Sequence, residues 1–389
     1  MKSICVISST RADYGILSRL LRRIYEDPEL ELRLVATGTH LAPAYGNTIE
    51  EIRRDGFSIH AAIPILETGD TPQAVSATMA RTLTGFGAYF SANRPDFALV
   101  LGDRYEICAA CMAAVNTRVP IAHLHGGETT EGAVDECFRH AITKMSYLHF
   151  TANETYRKRV IQLGEAPERV FNVGALGVEN ALHTDFMLLE ALEGDLQFNL
   201  SAKPFAVVTF HPVTLEEGMV QAQLEELLYV LAKRRDMRFL ITKSNADAGG
   251  GAINAALEAF GRKWEHCKVV ASLGMRRYMS ALKYAACVIG NSSSGLVEAP
   301  SFGIPTINIG DRQRGRMQAG SVINCAPARD SIERALDKAL SPAFRQVAAR
   351  AVNPYGSGNT SVQVCGILKD VLQKGNVNLK KKFYDVEFL

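Results

Sequence analysis

Five groups of polar residues stand directly after short apolar runs. Arg11 and Asp13 follow residues 4–7, Asp103 and Arg104 follow 97–101, and His125, Gly126, Gly127 and Glu128 follow 121–124. His211 follows 205–210, and Asn291, Ser292, Ser293 and Ser294 follow 287–289. A carboxylate or imidazole held in place can take or give a proton at a reacting atom. Asp103, Glu128 and Asp135 are the acid/base candidates, and His125 and His211 could polarise, donate or orient. Each has a plainer use. An Asp at the start of a helix commonly caps it, and a single histidine is commonly a hydrogen-bonded structural one.

Gly290-Asn-Ser-Ser-Ser-Gly295 is the most informative motif. An apolar run enters it and a helix from Leu296 onward leaves it. Small residues let backbone N–H groups approach a ligand, hydroxyls add donors, and a helix start adds partial positive charge. This is how a diphosphate cradle is built; it is also how a simple helix cap is built. Arg11 tilts the choice to phosphate, because guanidinium binds phosphate through two parallel hydrogen bonds. Glu298, a turn further on, could accept from ribose hydroxyls or lie on a solvated face. Gly249-Gly250-Gly251 is an anion nest or a turn. Neither half carries G-x-G-x-x-G after its first apolar run or a phosphate-binding G-x-x-x-x-G-K-[ST], which argues against NAD and ATP.

These residues need strands to position them. Apolar runs at 4–7, 32–36, 97–101, 121–124, 147–151 and 170–173 alternate with helical spacing, as in Ile16, Leu17, Leu20, Leu21 and Ile24. Such alternation predicts a parallel sheet covered by helices. Around 183–204 the pattern breaks into polar residues, and it restarts with strands at 205–210, 239–242, 269–271, 287–289 and 306–309. A chain of 389 residues exceeds the about 250–300 at which one core stops growing. The expectation is α/β: two Rossmann-like doubly wound domains facing a cleft, 1–182 and 183–358, with ligand at the carboxyl ends of the strands.

Composition excludes several classes. The chain is 47% hydrophobic and 22% charged, with net charge +2, which gives no electrostatic reason to expect nucleic acid or a membrane as partner. Lys380-Lys381-Lys382 reads as a solvated tail. No run reaches the about 18 apolar residues of a membrane helix, and the start lacks a signal-peptide pattern; a cytoplasmic protein is expected. The eight cysteines lie apart in apolar segments and read as small buried hydrophobes. Cys108-x-x-Cys111 lacks the second pair of a zinc site, and the histidines at 123, 125 and 140 lack zinc spacing, so no metal is expected.

The stretches Ser-Ser-Thr-Arg-Ala-Asp-Tyr-Gly, Leu-Gly-Asp-Arg-Tyr-Glu, His-Leu-His-Gly-Gly-Glu, Arg139-His-Ala-Ile-Thr-Lys-Met, Gly290-Asn-Ser-Ser-Ser-Gly-Leu-Val-Glu-Ala-Pro and Gly310-Asp-Arg-Gln resemble the hydrolysing UDP-N-acetylglucosamine 2-epimerases of bacterial sialic acid synthesis. Relatives within this resemblance include epimerases that hydrolyse UDP-diacetylbacillosamine for legionaminic acid. The resemblance implies a glycosyltransferase-B-like fold, a last helix at 359–373 that returns to the first domain, and a homodimer or homotetramer. It also implies a UDP-sugar as the small-molecule partner and no cofactor. It places the first catalytic carboxylate on Asp103 beside Arg104, and the second acidic position on His125, with Glu128 as its substitute. The third acidic position falls on Asp135 and the second-domain histidine on His211. Phosphate binding falls on Arg11 and Ser292 to Ser294, ribose on Glu298 and uracil stacking on Tyr278, with Arg312 closing over the phosphates. The rival expectations are a glycosyltransferase, a non-hydrolysing epimerase and a silent nucleotide-sugar sensor.

Overall fold

Inner strands of a parallel sheet covered on both faces read as short, near-continuous apolar runs. Phe97-Ala-Leu-Val-Leu101 is such a run, buried at every position. The structure, a computed structural model, describes residues 1–69, 71–131, 134–212, 218–244, 250–375 and 377–387. It forms two compact units. The first comprises Met1–Glu128, Asp135–Glu179 and Tyr355–Leu389; the second comprises Thr129–Val134 and Asn180–Pro354.

The strands of the first unit are β1 (Lys2–Ser8), β2 (Leu30–Thr37), β3 (Ile59–Ile63), β4 (Phe97–Leu101), β5 (Ile121–Leu124), β6 (Leu148–Thr151) and β7 (Val170–Asn172). Among the described residues they lie in the order β3-β2-β1-β4-β5-β6-β7, all parallel. Alternation along β1 feeds two cores. Ile4 and Val6 pack with Leu17, Leu20, Leu21 and Ile24, and Cys5 and Ile7 pack with Phe86, Phe90 and Ile107. The C-terminal helix Thr360–Gln373 puts Val364, Cys365, Leu368 and Leu372 into the first of these cores.

The second unit has β8 (Phe205–Thr209), β9 (Arg238–Thr242), β10 (Cys267–Val270), β11 (Cys287–Gly290), β12 (Thr306–Ile309) and β13 (Val322–Cys325). Their order is β10-β9-β8-β11-β12-β13, again parallel. Each sheet reverses its winding once, between β1 and β4 in the first and between β8 and β11 in the second. Neighbouring helices there leave to opposite faces, so a crevice opens outside the strand ends.

Several expectations need correction. The residues at 380–382 are not all solvated: the Lys381 ammonium lies 2.6 Å from Glu165 Oε2 and donates to the Ser146 carbonyl at 2.6 Å. Glu165 is buried and needs a cation, which outweighs the hydration of one lysine. Cys137 is exposed rather than buried, on the outer face of the helix Asp135–Met145. The helix after the serine motif is a single turn, Ser294–Val297, followed by a 3-10 turn at Ala299–Phe302; Pro300 cannot continue an α-helix in register. Of the glycine run, Gly249 lies outside the described residues and Gly250 and Gly251 open the helix Gly250–Lys263. No helix among the described residues is long and apolar enough to cross a membrane.

Candidate active site

In the first unit the pairing of β1 with β4 brings two loops together. Ser9 Oγ lies 2.8 Å from Asp13 Oδ2 and 2.9 Å from Glu106 Oε1, while Arg104 Nε donates to the same Glu106 oxygen at 2.6 Å. A hydroxyl has one proton to donate, so Ser9 satisfies one of these carboxyls and meets the other as an acceptor. Burial raises the Asp13 carboxyl above its ordinary range, with the charge of Arg104 and the Ser9 hydrogen bond partly offsetting it. Asp13 also closes the start of the helix Arg11–Glu26 by a reciprocal cap with Thr10. Arg11 is paired with Glu51 at 2.8 Å, so a phosphate would have to compete with a carboxylate already in place.

The next two strand ends carry the acids. Leu101 of β4 is in register with Leu124 of β5, so Asp103 and His125 leave neighbouring strands. Arg139, 1% exposed, donates Nη2 to the Asp103 carboxylate, and Nη1 to the Glu136 carboxylate and to the Glu128 carbonyl at 3.1 Å. One buried guanidinium thus fixes Asp103 and the 125–128 loop together. His125 takes φ +68°, uncommon for a residue other than glycine, and its Nδ1 lies 2.7 Å from Glu128 Oε1. Gly127, φ +77°, admits no side chain, because a Cβ would collide with the Tyr156 carbonyl. Beneath the loop, His123 Nε2 meets the Gly102 carbonyl at 2.8 Å. Burial pushes this imidazole down to about 3, so it is neutral and Nε2 is the donor. Asp135 is the first residue of the helix that carries Arg139.

In the second unit the pairing of β8 with β11 does the same work. His211 N–H donates to Asn291 Oδ1 at 2.7 Å and Asn291 Nδ2 donates to the His211 carbonyl at 2.8 Å. This reciprocal pair locks the two strand ends. His211 Nδ1 lies 3.2 Å from Ser244 Oγ. Gly290, φ +135°, is obligatory, because a Cβ would collide with the Thr209 carbonyl. Ser292, Ser293 and Ser294 are half-buried. Among the described residues nothing accepts the amide protons of Ser292 and Ser293, so this turn presents backbone donors. With only four residues in the following helix, these amides rather than a long helix dipole carry the anion-binding potential. Tyr278 lies on the apolar core beside this loop and donates to Ser294 Oγ at 2.8 Å. Thr306 Oγ1 donates to the Gly295 carbonyl at 2.7 Å, and buried Gln313 to the Asn291 carbonyl at 2.9 Å. Arg312 reaches that carbonyl at 3.3 Å, so its guanidinium is held at the base of the loop. Glu298, 7% exposed, lies buried rather than on a solvated face.

The structure therefore joins Asp103, His125 and Glu128 around Arg139, and joins His211, Asn291, the serines, Tyr278 and Arg312 in the second unit. A family model for UDP-N-acetylglucosamine 2-epimerase matches residues 22–369. The chain belongs to that epimerase family. It is 40% identical to the polysialic acid biosynthesis protein P7 of Escherichia coli, over 99% of this chain and 98% of that protein. It is 38% identical to a GDP/UDP-N,N'-diacetylbacillosamine 2-epimerase (hydrolyzing) of Campylobacter jejuni, over 89% of each. The UDP-GlcNAc 2-epimerase of Neisseria meningitidis, solved bound to UDP-GlcNAc, matches with TM-score 0.80 at 16% identity, over 95% of this chain and 100% of that one. That match shows the shared α/β, glycosyltransferase-B-like fold class.

Three residues that this geometry brings into the candidate site stand in the quoted stretches but were given no role from the sequence. Arg139 stands four residues after Asp135 on one helix, which places both on one face; that spacing was the available signal. Glu106 and Gln313 carried no signal of a role beyond standing in those stretches, because a buried carboxylate or amide looks like a surface one until its partners are known.

Proposed function

We propose that this protein is a hydrolysing UDP-N-acetylglucosamine 2-epimerase that yields N-acetylmannosamine and UDP for sialic-acid-type sugar synthesis. The observation that carries it is the Asp103–Arg139–Glu128–His125 cluster at the carboxyl ends of β4 and β5, in a chain of this family. The 40% identity to a protein named for polysialic acid biosynthesis supports the sialic-acid direction.

The C-2 hydrogen of an N-acetylhexosamine has no carbonyl beside it to acidify it. It becomes acidic only as the C-1–O bond to UDP breaks and positive charge develops on the ring. Catalysis therefore requires stabilisation of the leaving diphosphate together with a base at C-2. The Ser292 and Ser293 amides, the Ser294 hydroxyl, Gly295, Asn291, Arg11, Arg104 and Arg312 supply the first role. Glu298 serves the ribose, Tyr278 the uracil and His211 the diphosphate. Asp103 is the base, with Asp135 the alternative. Elimination gives UDP and the 1,2-glycal; water then adds at C-1 and a proton returns to C-2 on the other face. Only protons and water are exchanged, so no redox cofactor enters the balance.

A second reading has its own support. Two relatives, at 38% and 32% identity, are named as hydrolysing diacetylbacillosamine 2-epimerases, so the UDP-linked diacetylated sugar is the alternative substrate. Incubation with each UDP-sugar and no acceptor, followed by mass spectrometry, tests both. Free UDP with a 2-epimerised sugar is expected; turnover that needs an acceptor, or epimerised sugar still joined to UDP, would contradict the proposal. We further propose a cytoplasmic homodimer or homotetramer, which light scattering of the purified protein and fractionation of cells would check.

A further inference from the structure

The proposed reaction inverts C-2, so the group that removes its proton and the group that returns it act from opposite faces of the ring. Asp103 supplies one. Two carboxylate candidates compete for the other, Glu128 and Asp135, and the loop after β5 points to a third group. His125 holds φ +68°, a left-handed conformation that costs free energy in a residue other than glycine and persists where the surroundings enforce it. The enforcing contacts are visible. The His125 N–H donates to the Phe150 carbonyl at 2.9 Å, and Nδ1 is bound to Glu128 Oε1 at 2.7 Å. Glu128 in turn is 3% exposed and its carbonyl is held by Arg139, the residue that also holds Asp103. At the far end of the ring, Nε2 is shielded from solvent and has no hydrogen-bond partner among the described residues. A buried ring nitrogen without a partner costs free energy unless something else uses it.

We propose that His125 Nε2, with Glu128 bound behind it at Nδ1, is the second acid–base group of the epimerase, and that Glu128 acts through His125 rather than on the sugar. The inference rests on the epimerase reading above. Asp103 takes the C-2 proton as the C-2–H pair forms the C-1–C-2 double bond and the C-1–O pair leaves with UDP. His125 Nε2–H then gives a proton to C-2 of the glycal, using the double-bond pair. Water adds to C-1 and loses its surplus proton to solvent. Glu128 keeps the Nδ1 proton in place throughout, which fixes Nε2 as the working nitrogen. Both groups re-equilibrate with solvent before the next turnover.

The test compares His125→Asn, Glu128→Gln and the double variant with the wild type, following UDP by chromatography and sugars by proton NMR. Asn is chosen because it tolerates positive φ better than most residues, so the backbone is retained; circular dichroism checks this. His125→Asn is expected to release UDP and glycal while epimerised sugar falls by on the order of 10²–10⁴-fold. Glu128→Gln should show the same split less severely, and the double variant should be no worse than His125→Asn alone, as for residues that act as one unit. Full epimerisation by His125→Asn, or a double variant whose loss multiplies the two single losses, would overturn the proposal. A wild type that frees no UDP from either UDP-sugar would instead sink the epimerase reading on which it rests.

Discussion

Replacing Lys381 by Met should loosen the first unit from its C-terminal end. Glu165, 1% exposed, is met by Lys144 at 2.6 Å, Lys381 at 2.6 Å and His149 at 3.1 Å. Burial alone would raise this carboxyl; hydrogen bonds from His149, Lys144 and Lys381 outweigh that and hold it at about 2 against an ordinary 4.5. That depression corresponds to about 3 kcal/mol of folding free energy, shared among three donors, so Lys381 accounts for about 1. The same ammonium satisfies the Lys144 and Ser146 carbonyls at 3.0 and 2.6 Å, which adds about 1 more. Phe383 lies against Gly164, and the Tyr384 N–H donates to the Gly164 carbonyl at 3.0 Å, so the whole tail end should loosen with it. The expected loss is about 2 kcal/mol near neutral pH, read from urea unfolding. Hydrogen exchange should rise in peptides covering β6 and residues 377–387, and Lys381→Arg should recover most of the loss. Because the folded pKa of Glu165 lies below its unfolded value, this stabilisation is complete above pH 4.5 and fades as pH falls toward 2. The variant should therefore unfold at a higher pH on acidification. A change under about 0.5 kcal/mol, or an unchanged acid transition, would refute this account of the tail.

Other outcomes follow from the site. Arg139→Met leaves Asp103 and Glu136 without their buried cation; kcat/KM should fall by on the order of 10²–10⁴-fold, while a fall under about threefold would remove Arg139 from the account. Gly290→Ala forces a Cβ onto the Thr209 carbonyl at φ +135° and should cost more than about 3 kcal/mol by chemical denaturation. Asp13 has its folded pKa raised chiefly by burial. Its stabilisation is therefore full below the unfolded pKa and lost as pH rises through the folded one. Asp13→Asn, which cannot ionise, should flatten the decline that sets in as pH rises above the ordinary carboxylate value in a melting-temperature series, and an unchanged slope would count against the buried Asp13.

Much of this was legible before any coordinates. β4, β5, β8 and β12 are inner strands buried at every position and mostly apolar, so hydrophobic runs located them. β3 and β13 lie at sheet edges, where only part of the strand is buried, and Ile-His-Ala-Ala-Ile carries no strong pattern. The helix Pro72–Asn93 is rich in Ala, Thr and Gly and lacks a sharp apolar stripe. In the candidate site, residue types after strand ends singled out Asp103, His125, His211 and the serines as candidates, because a parallel sheet concentrates ligand contacts there. The cation on Asp103, the amide on Asn291 and the use of His125 by Glu128 depend on which side chains meet in space. Lys381 shows the same limit: a basic run looks solvated until a buried carboxylate is found facing it.

Whether a base removes the C-2 hydrogen while UDP departs is settled most directly in heavy water. With UDP-N-acetylglucosamine or its diacetylated counterpart, the released 2-epimer should carry one deuterium at C-2, and UDP should accumulate in equal amount. A 2-epimer formed with its original hydrogen at C-2 would contradict the mechanism, whichever residues surround the ring.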